Sequence, residues 1–105
     1  MKPEAQRIAI AEAGGFFFIS GVWYFPNGAK LSADGVAELP DYLKDLNAMH
    51  AAEKGLFDYQ WGDYIDWLSA VLGVKAYDSM EIMHATAAQR AEAFLRAIGK
   101  WEEGK

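Results

Sequence analysis

The sequence predicts a small α/β (α+β) domain, an α-β-α sandwich in which a small β-sheet carries helices packed on both faces. Three observations predict it. Residues 16–25 are apolar on both strand parities, with Phe16, Phe18, Val22 and Tyr24 on one and Phe17, Ile19, Trp23 and Phe25 on the other. A strand built from such a run needs cover on both sides, which helices normally supply. Four further segments place apolar residues at helical spacing between start and stop signals. Finally, 105 residues with 52% hydrophobic content are enough for one core and too few for two, so residues 1–105 are expected to form a single domain.

The first helix is PEAQRIAIAEA, residues 3–13. Pro3 suits the first turn, Glu4 meets the positive end of the helix dipole, and Ile8 with neighbouring alanines forms a narrow apolar stripe. Gly14 and Gly15 supply the left-handed geometry of a helix stop, and the β-favouring aromatic run follows. Within that run, residues 16–19 are expected to be core, clothed by helices on both sides. Ser20 and Gly21 interrupt it as either a tight hairpin or a bulge. FPNG, residues 25–28, is a turn, because Pro26 presets its second position and Asn27 and Gly28 tolerate unusual backbone angles. It folds a strand around Trp23 back onto a short one over residues 29–32, and SADG marks a further loop.

LPDYLKDLNAMHAAEKG reads as a helix opened by Pro40 and stopped by Gly55, with Tyr42, Leu43, Leu46, Met49 and His50 on one side. FDYQWGDYIDWLSAVLG is the next, with Trp61, Tyr64, Ile65, Leu68 and Leu72 at helical spacing and a stop at Gly73. Gly62 weakens it by about 1 kcal/mol relative to alanine. SMEIMHA alternates Met80, Ile82 and His84, the pattern of a last strand. In ATAAQRAEAFLRAIGKWEE, Thr86 and Gln89 have the spacing of a capping box, and Ala91, Phe94, Leu95 and Ile98 supply a buried stripe.

Charge and composition exclude several functions. A net charge of -5, with the ten basic residues scattered along the chain, argues against a nucleic-acid partner, since phosphate neutralisation needs clustered Lys and Arg. The absence of cysteine excludes disulfides, thiolate metal sites and Cys nucleophiles. The apolar run falls short of the roughly 20 residues of a membrane helix. Lys2, Glu4, Arg7 and Glu12 make the start unlike a signal peptide. A soluble, intracellular protein that does not engage membranes is expected.

Three segments, MKPEAQRIAIAEA, LPDYLKDLNAMHAAEK and ATAAQRAEAFLRAIGKWEE, taken in this order, resemble the phage ABA-sandwich domain proteins of bacteriophages and prophages. The resemblance implies helices on both faces of a sheet, a phage origin and a place of action in the host cytoplasm. It implies no catalytic residues, because the family has no established enzymatic activity. Residues 16–36 and 57–78 match the family pattern least and mark where a function particular to this protein is expected.

No motif points to chemistry. His50 and His84, even with Glu53 or Asp78 as companions, match no metal-site spacing, so neither a metal nor a cofactor is expected. Ser20, Ser69 and Ser79 lie in no nucleophile-elbow sequence, and the protein is expected not to be an enzyme. Asp58, Asp63 and Asp66 read as a solvated helix face, as an acidic patch for a basic partner or as a carboxylate site for a divalent cation. One small core need not accommodate all the aromatic residues, so they either fill the sandwich or leave some partly exposed for contact with a partner.

The expected function is therefore a counter-defence sponge that sequesters a host nucleotide-derived immune signal. Trp23, Tyr24, Tyr59, Trp61 and Tyr64 would stack on the base, while Arg7, Arg90, Arg96 and the helix starts near Pro3 and Thr86 would hold phosphate. A homo-oligomer would set one subunit's aromatics against another's arginines. The alternative is an inhibitor that binds a host defence or replication protein through an acidic and aromatic face. A deep pocket lined by aromatics and arginine favours the sponge, and a flat aromatic patch favours a protein partner.

Overall fold

Helices dominate this α+β fold, whose computed structural model describes residues 1–30, 39–74 and 79–102. Helix α1, Pro3–Ala13, has Pro at its first turn and Glu4 beside it, as its sequence requires. Of the two glycines that follow, Gly14 stays right-handed at φ -83, and Gly15 alone takes the left-handed conformation at φ +100. A Cβ on Gly15 would also lie 3.3 Å from the Cβ of Pro26.

The chain then forms an antiparallel hairpin of β1, Phe17–Ile19, and β2, Val22–Tyr24, with Phe17 opposite Tyr24, Phe18 opposite Trp23 and Ile19 opposite Val22. Ser20 and Gly21 have φ of 52 and 80, so the interruption is a two-residue hairpin turn of the kind whose twist matches the strands. The turn over residues 25–28 forms as expected, with Gly28 N–H donating to the Phe25 carbonyl at 2.9 Å. The return begins with Phe25 N–H on the Ala29 carbonyl at 2.7 Å and an isolated bridge between Tyr24 and Lys30. The rest of that return strand and the SADG loop lie outside the described residues, as do Asp78 and the side chain of Ser79.

Two elements differ from the sequence reading. Helix α2 is Leu46–Glu53 and starts six residues after Pro40. The Asp45 side chain accepts from Asn47 N–H at 2.9 Å and Ala48 N–H at 3.4 Å, so the free donors of the helix start are satisfied there and not at Pro40. Residues 40–45 are turns, with Tyr42 N–H on the Pro40 carbonyl and Asp45 N–H on the Asp41 carbonyl. The segment read as a last strand is helix α4, Ser79–Met83, continued by His84 N–H donating to Met80 O at 3.2 Å. Three alternating residues are too short a pattern to outweigh packing, and helical geometry here sets Ile82 against the core.

Helix α3, Asp58–Leu72, ends at Gly73 in the left-handed conformation. Its start is held by Gln60, whose side chain accepts from Phe57 N–H at 2.8 Å. Helix α5, Ala87–Ala97, carries the complete capping box: Thr86 Oγ1 accepts from Gln89 N–H at 3.1 Å, and Gln89 Oε1 accepts from Thr86 N–H at 2.9 Å.

Helix α5 is the hub. Helix α3 packs along it most extensively, and α1 and α2 also meet it. Its Ala91 and Ala93 allow close approach, and Ile10, Met49, Tyr64, Leu68 and Leu95 are fully buried around it.

Residues 17–19 are not core. Phe17, Phe18 and Ile19 are 36%, 56% and 55% exposed, while Trp23 on the partner strand is buried and Phe16 packs at the edge of the core. The physical reason is the size of the sheet. The helices bury their apolar stripes mainly on one another, Trp23 plugs the hairpin into that cluster, and β1 is left outside it.

Candidate functional site

The residues expected to bind a nucleotide are dispersed. Trp23 belongs to the core, with Phe18 tilted against it at 5.3 Å between ring centres. Tyr24 is half-buried and stacks on Phe17 at 5.2 Å. Tyr59 is 74% exposed and stacks on Phe57, and Trp61 meets the Tyr64 ring edge-on at 5.6 Å. Tyr64 is buried.

Arg7 donates from Nε to the Pro40 carbonyl at 3.3 Å and from Nη2 to the Leu39 carbonyl, which staples the turn before α2 to α1. It lines an open groove of about 700 Å³ with Glu4, Asp41 and Lys44, and among the described residues no aromatic ring lines that groove.

Arg90 and Tyr64 are committed to an internal network centred on Glu53, a buried carboxylate. Glu53 Oε2 accepts from the Tyr64 hydroxyl and from Arg90 Nη1 at 3.2 Å, and Oε1 lies 2.7 Å from His50 Nδ1. Arg90 further donates from Nε to the Ala85 carbonyl at 3.2 Å and from Nη2 to the Ile82 carbonyl at 3.0 Å. Burial, and then the bond to the carboxylate, push the Tyr64 hydroxyl pKa upward, so it stays a protonated donor. Each charged group here has its partner, and the chemistry of the cluster is to lock α2, α3 and the α4–α5 junction together.

The network sets the pose of α3 and thereby of its opposite face. Tyr59, Asp63, Asp66 and Ala70 follow one another at four, three and four residues, the spacing of one helix face, and all are exposed. Asp58 adds a third exposed carboxylate at the helix start. Among the described residues these three aspartates form no ion pair.

Trp67, 41% exposed, flanks this face, and Arg96 lies over its ring at 5.2 Å. The same guanidinium lies 4.9 Å from the centre of the Trp101 ring and donates from Nε to Glu92 Oε2 at 2.9 Å. A cation held between two indoles is well placed to fix both rings. Beside it is a small cavity of about 220 Å³ bordered by Trp67, Val71 and Glu92.

Sequence reasoning missed Glu53 as the centre of the network and Arg96 as the support of Trp67. The Glu92 and Arg96 pair was signalled by its four-residue spacing. The Glu53 and Arg90 pair, 37 residues apart, carried no local signal. Among the described residues no group of three or more His, Asp or Glu side chains is arranged to hold a metal ion, and no helix is long and apolar enough to cross a membrane. Comparison with protein families, with characterised proteins and with solved structures gives no match.

Proposed function

We propose that the protein is a non-enzymatic binding module that docks the acidic, aromatic face of α3 onto a basic surface of a partner protein. The observation that carries this reading is the pair Asp63 and Asp66, with Asp58 at the helix start, which form no ion pair among the described residues and lie beside exposed Tyr59 and Trp67 on one rigidly held helix. Tyrosine and tryptophan lose little entropy on contact, and exposed carboxylates steer a cationic surface and are satisfied by it. In the setting that the phage resemblance implies, the partner is a host defence or replication protein met in the host cytoplasm. The nucleotide sponge is the weaker reading, because the arginines assigned to phosphate serve Glu53, Glu92 and backbone carbonyls, and the aromatics assigned to the base are spread over the hairpin and α3.

The test begins with host proteins retained by the immobilised chain, each then purified and titrated by calorimetry. The double variant Asp63→Lys/Asp66→Lys should weaken binding at least roughly tenfold, with a steep salt dependence in the parent protein. Both positions are exposed, so thermal unfolding should change little. Binding that ignores the double variant overturns the docking reading. A thermal shift with cyclic nucleotides, unaffected by the same substitutions, would restore the sponge.

A further inference from the structure

We propose that the free edge of β1 pairs antiparallel with β1 of a second copy across a twofold axis, joining two hairpins into a four-stranded sheet. Among the described residues the sheet has two strands, so β1 is bonded on one side alone, whereas β2 is met on its far side by the Tyr24–Lys30 bridge. In a hairpin closed by a two-residue turn, the residues flanking the turn exchange hydrogen bonds, and pairs then alternate. Ile19 with Val22 and Phe17 with Tyr24 are the bonded pairs, so Phe18 directs its N–H and C=O away from β2. Two Phe18 residues set opposite one another exchange two backbone hydrogen bonds. The same register sets Phe17 of each copy beside Ile19 of the other on one face, and the two Phe18 rings together on the other face.

Composition selects a second copy as the occupant. Exposed strand edges are ordinarily blunted by lysine, proline, a bulge or an inward charge, and β1 has none of these. Residues 13–29 contain no charged residue, although the chain carries a net charge of -5. Two copies repel over most of their surface and meet without like-charge cost at this hairpin. A twofold contact also requires a patch complementary to itself, which an uncharged aliphatic and aromatic strand satisfies. A foreign acidic or basic strand would find no counter-charge on β1.

This surface is separate from the α3 face, and its test is independent of that reading. Sedimentation equilibrium of the whole chain from about 1 to about 300 µM covers the affinities of small interfaces. The mass should rise toward twice 11.6 kDa. Phe18→Lys should remain at the single-chain mass over that range, and so should Ile19→Lys on the opposite face, which serves if the first variant unfolds. An equimolar mixture of Phe18→Lys and Phe18→Glu should regain the doubled mass, because opposite charges then meet at the axis. Asp63→Lys/Asp66→Lys should associate at least as well as the parent. A parent chain that stays single at the highest concentration overturns the proposal. Association that both lysine variants leave unchanged, whether with a copy or in larger aggregates, overturns it as well.

Discussion

Glu53 is the residue on which His50, Tyr64 and Arg90 converge, and its substitutions separate packing from charge. Glu53→Ala would strand the Arg90 guanidinium, whose side chain is 11% exposed, without its carboxylate. Removing one partner of a buried pair costs about 3 kcal/mol or more, because a charge is left uncompensated. Tyr64→Phe removes one donor from a carboxylate that keeps His50 and Arg90, so a loss of about 1 kcal/mol is expected. Urea unfolding of the two variants checks the order, and equal losses would show that Glu53 is held mainly by packing. None of this was legible beforehand. Tyr64 and Arg90 looked available because sequence reveals residue type and helical face, while partnership across 37 residues exists only after α2 and α5 meet.

At the scale of elements, the helices read best where capping chemistry is local. Thr86 with Gln89 and Gly73 act within one turn of the ends they define, and those ends stand where the residues place them. Pro40 misled because a proline permits a helix start without supplying an acceptor for its free N–H groups, whereas Asp45 supplies one. Asp45→Ala should destabilise the domain by about 1 kcal/mol and fray α2, seen as faster amide exchange at Asn47 and Ala48. Substituting Asp41 should leave those amides unchanged. The α3 face also belongs to this scale. Its Tyr59, Asp63 and Asp66 spacing is visible in the sequence, as is the ambiguity between a solvated face and an acidic patch. The exposure of Trp67 beside it, propped by Arg96, is not.

Over the whole molecule, two buried tyrosines bracket the core, and stability at high pH follows from them. Tyr42 sits at the turn beside α1, where burial raises its hydroxyl pKa to about 12 against the lowering pull of Arg7, and Tyr64 is raised by burial and by Glu53. A pKa raised in the folded state means stability present below the unfolded value of 10.0 and lost as pH climbs from there toward about 12. The urea midpoint should therefore be level between roughly pH 7 and 9 and fall above about pH 10, and Tyr42→Phe should shrink the fall. A midpoint that falls equally in Tyr42→Phe and the parent would remove Tyr42 from this account.

The limits of α1 and α3 and the start of α5 could be written from the sequence, because caps, glycine stops and apolar periodicity act over one or two turns, whereas α5 ends at Ala97, short of the segment through Glu103 read for it. The side of the fold on which each apolar run ends is a tertiary outcome. Residues 16–19 and 22–25 are equally apolar, yet Trp23 enters the core and residues 17–19 remain outside. Helices that bury their stripes on α5 leave room for one strand of the hairpin and not for the other, and no local property of either strand distinguishes them.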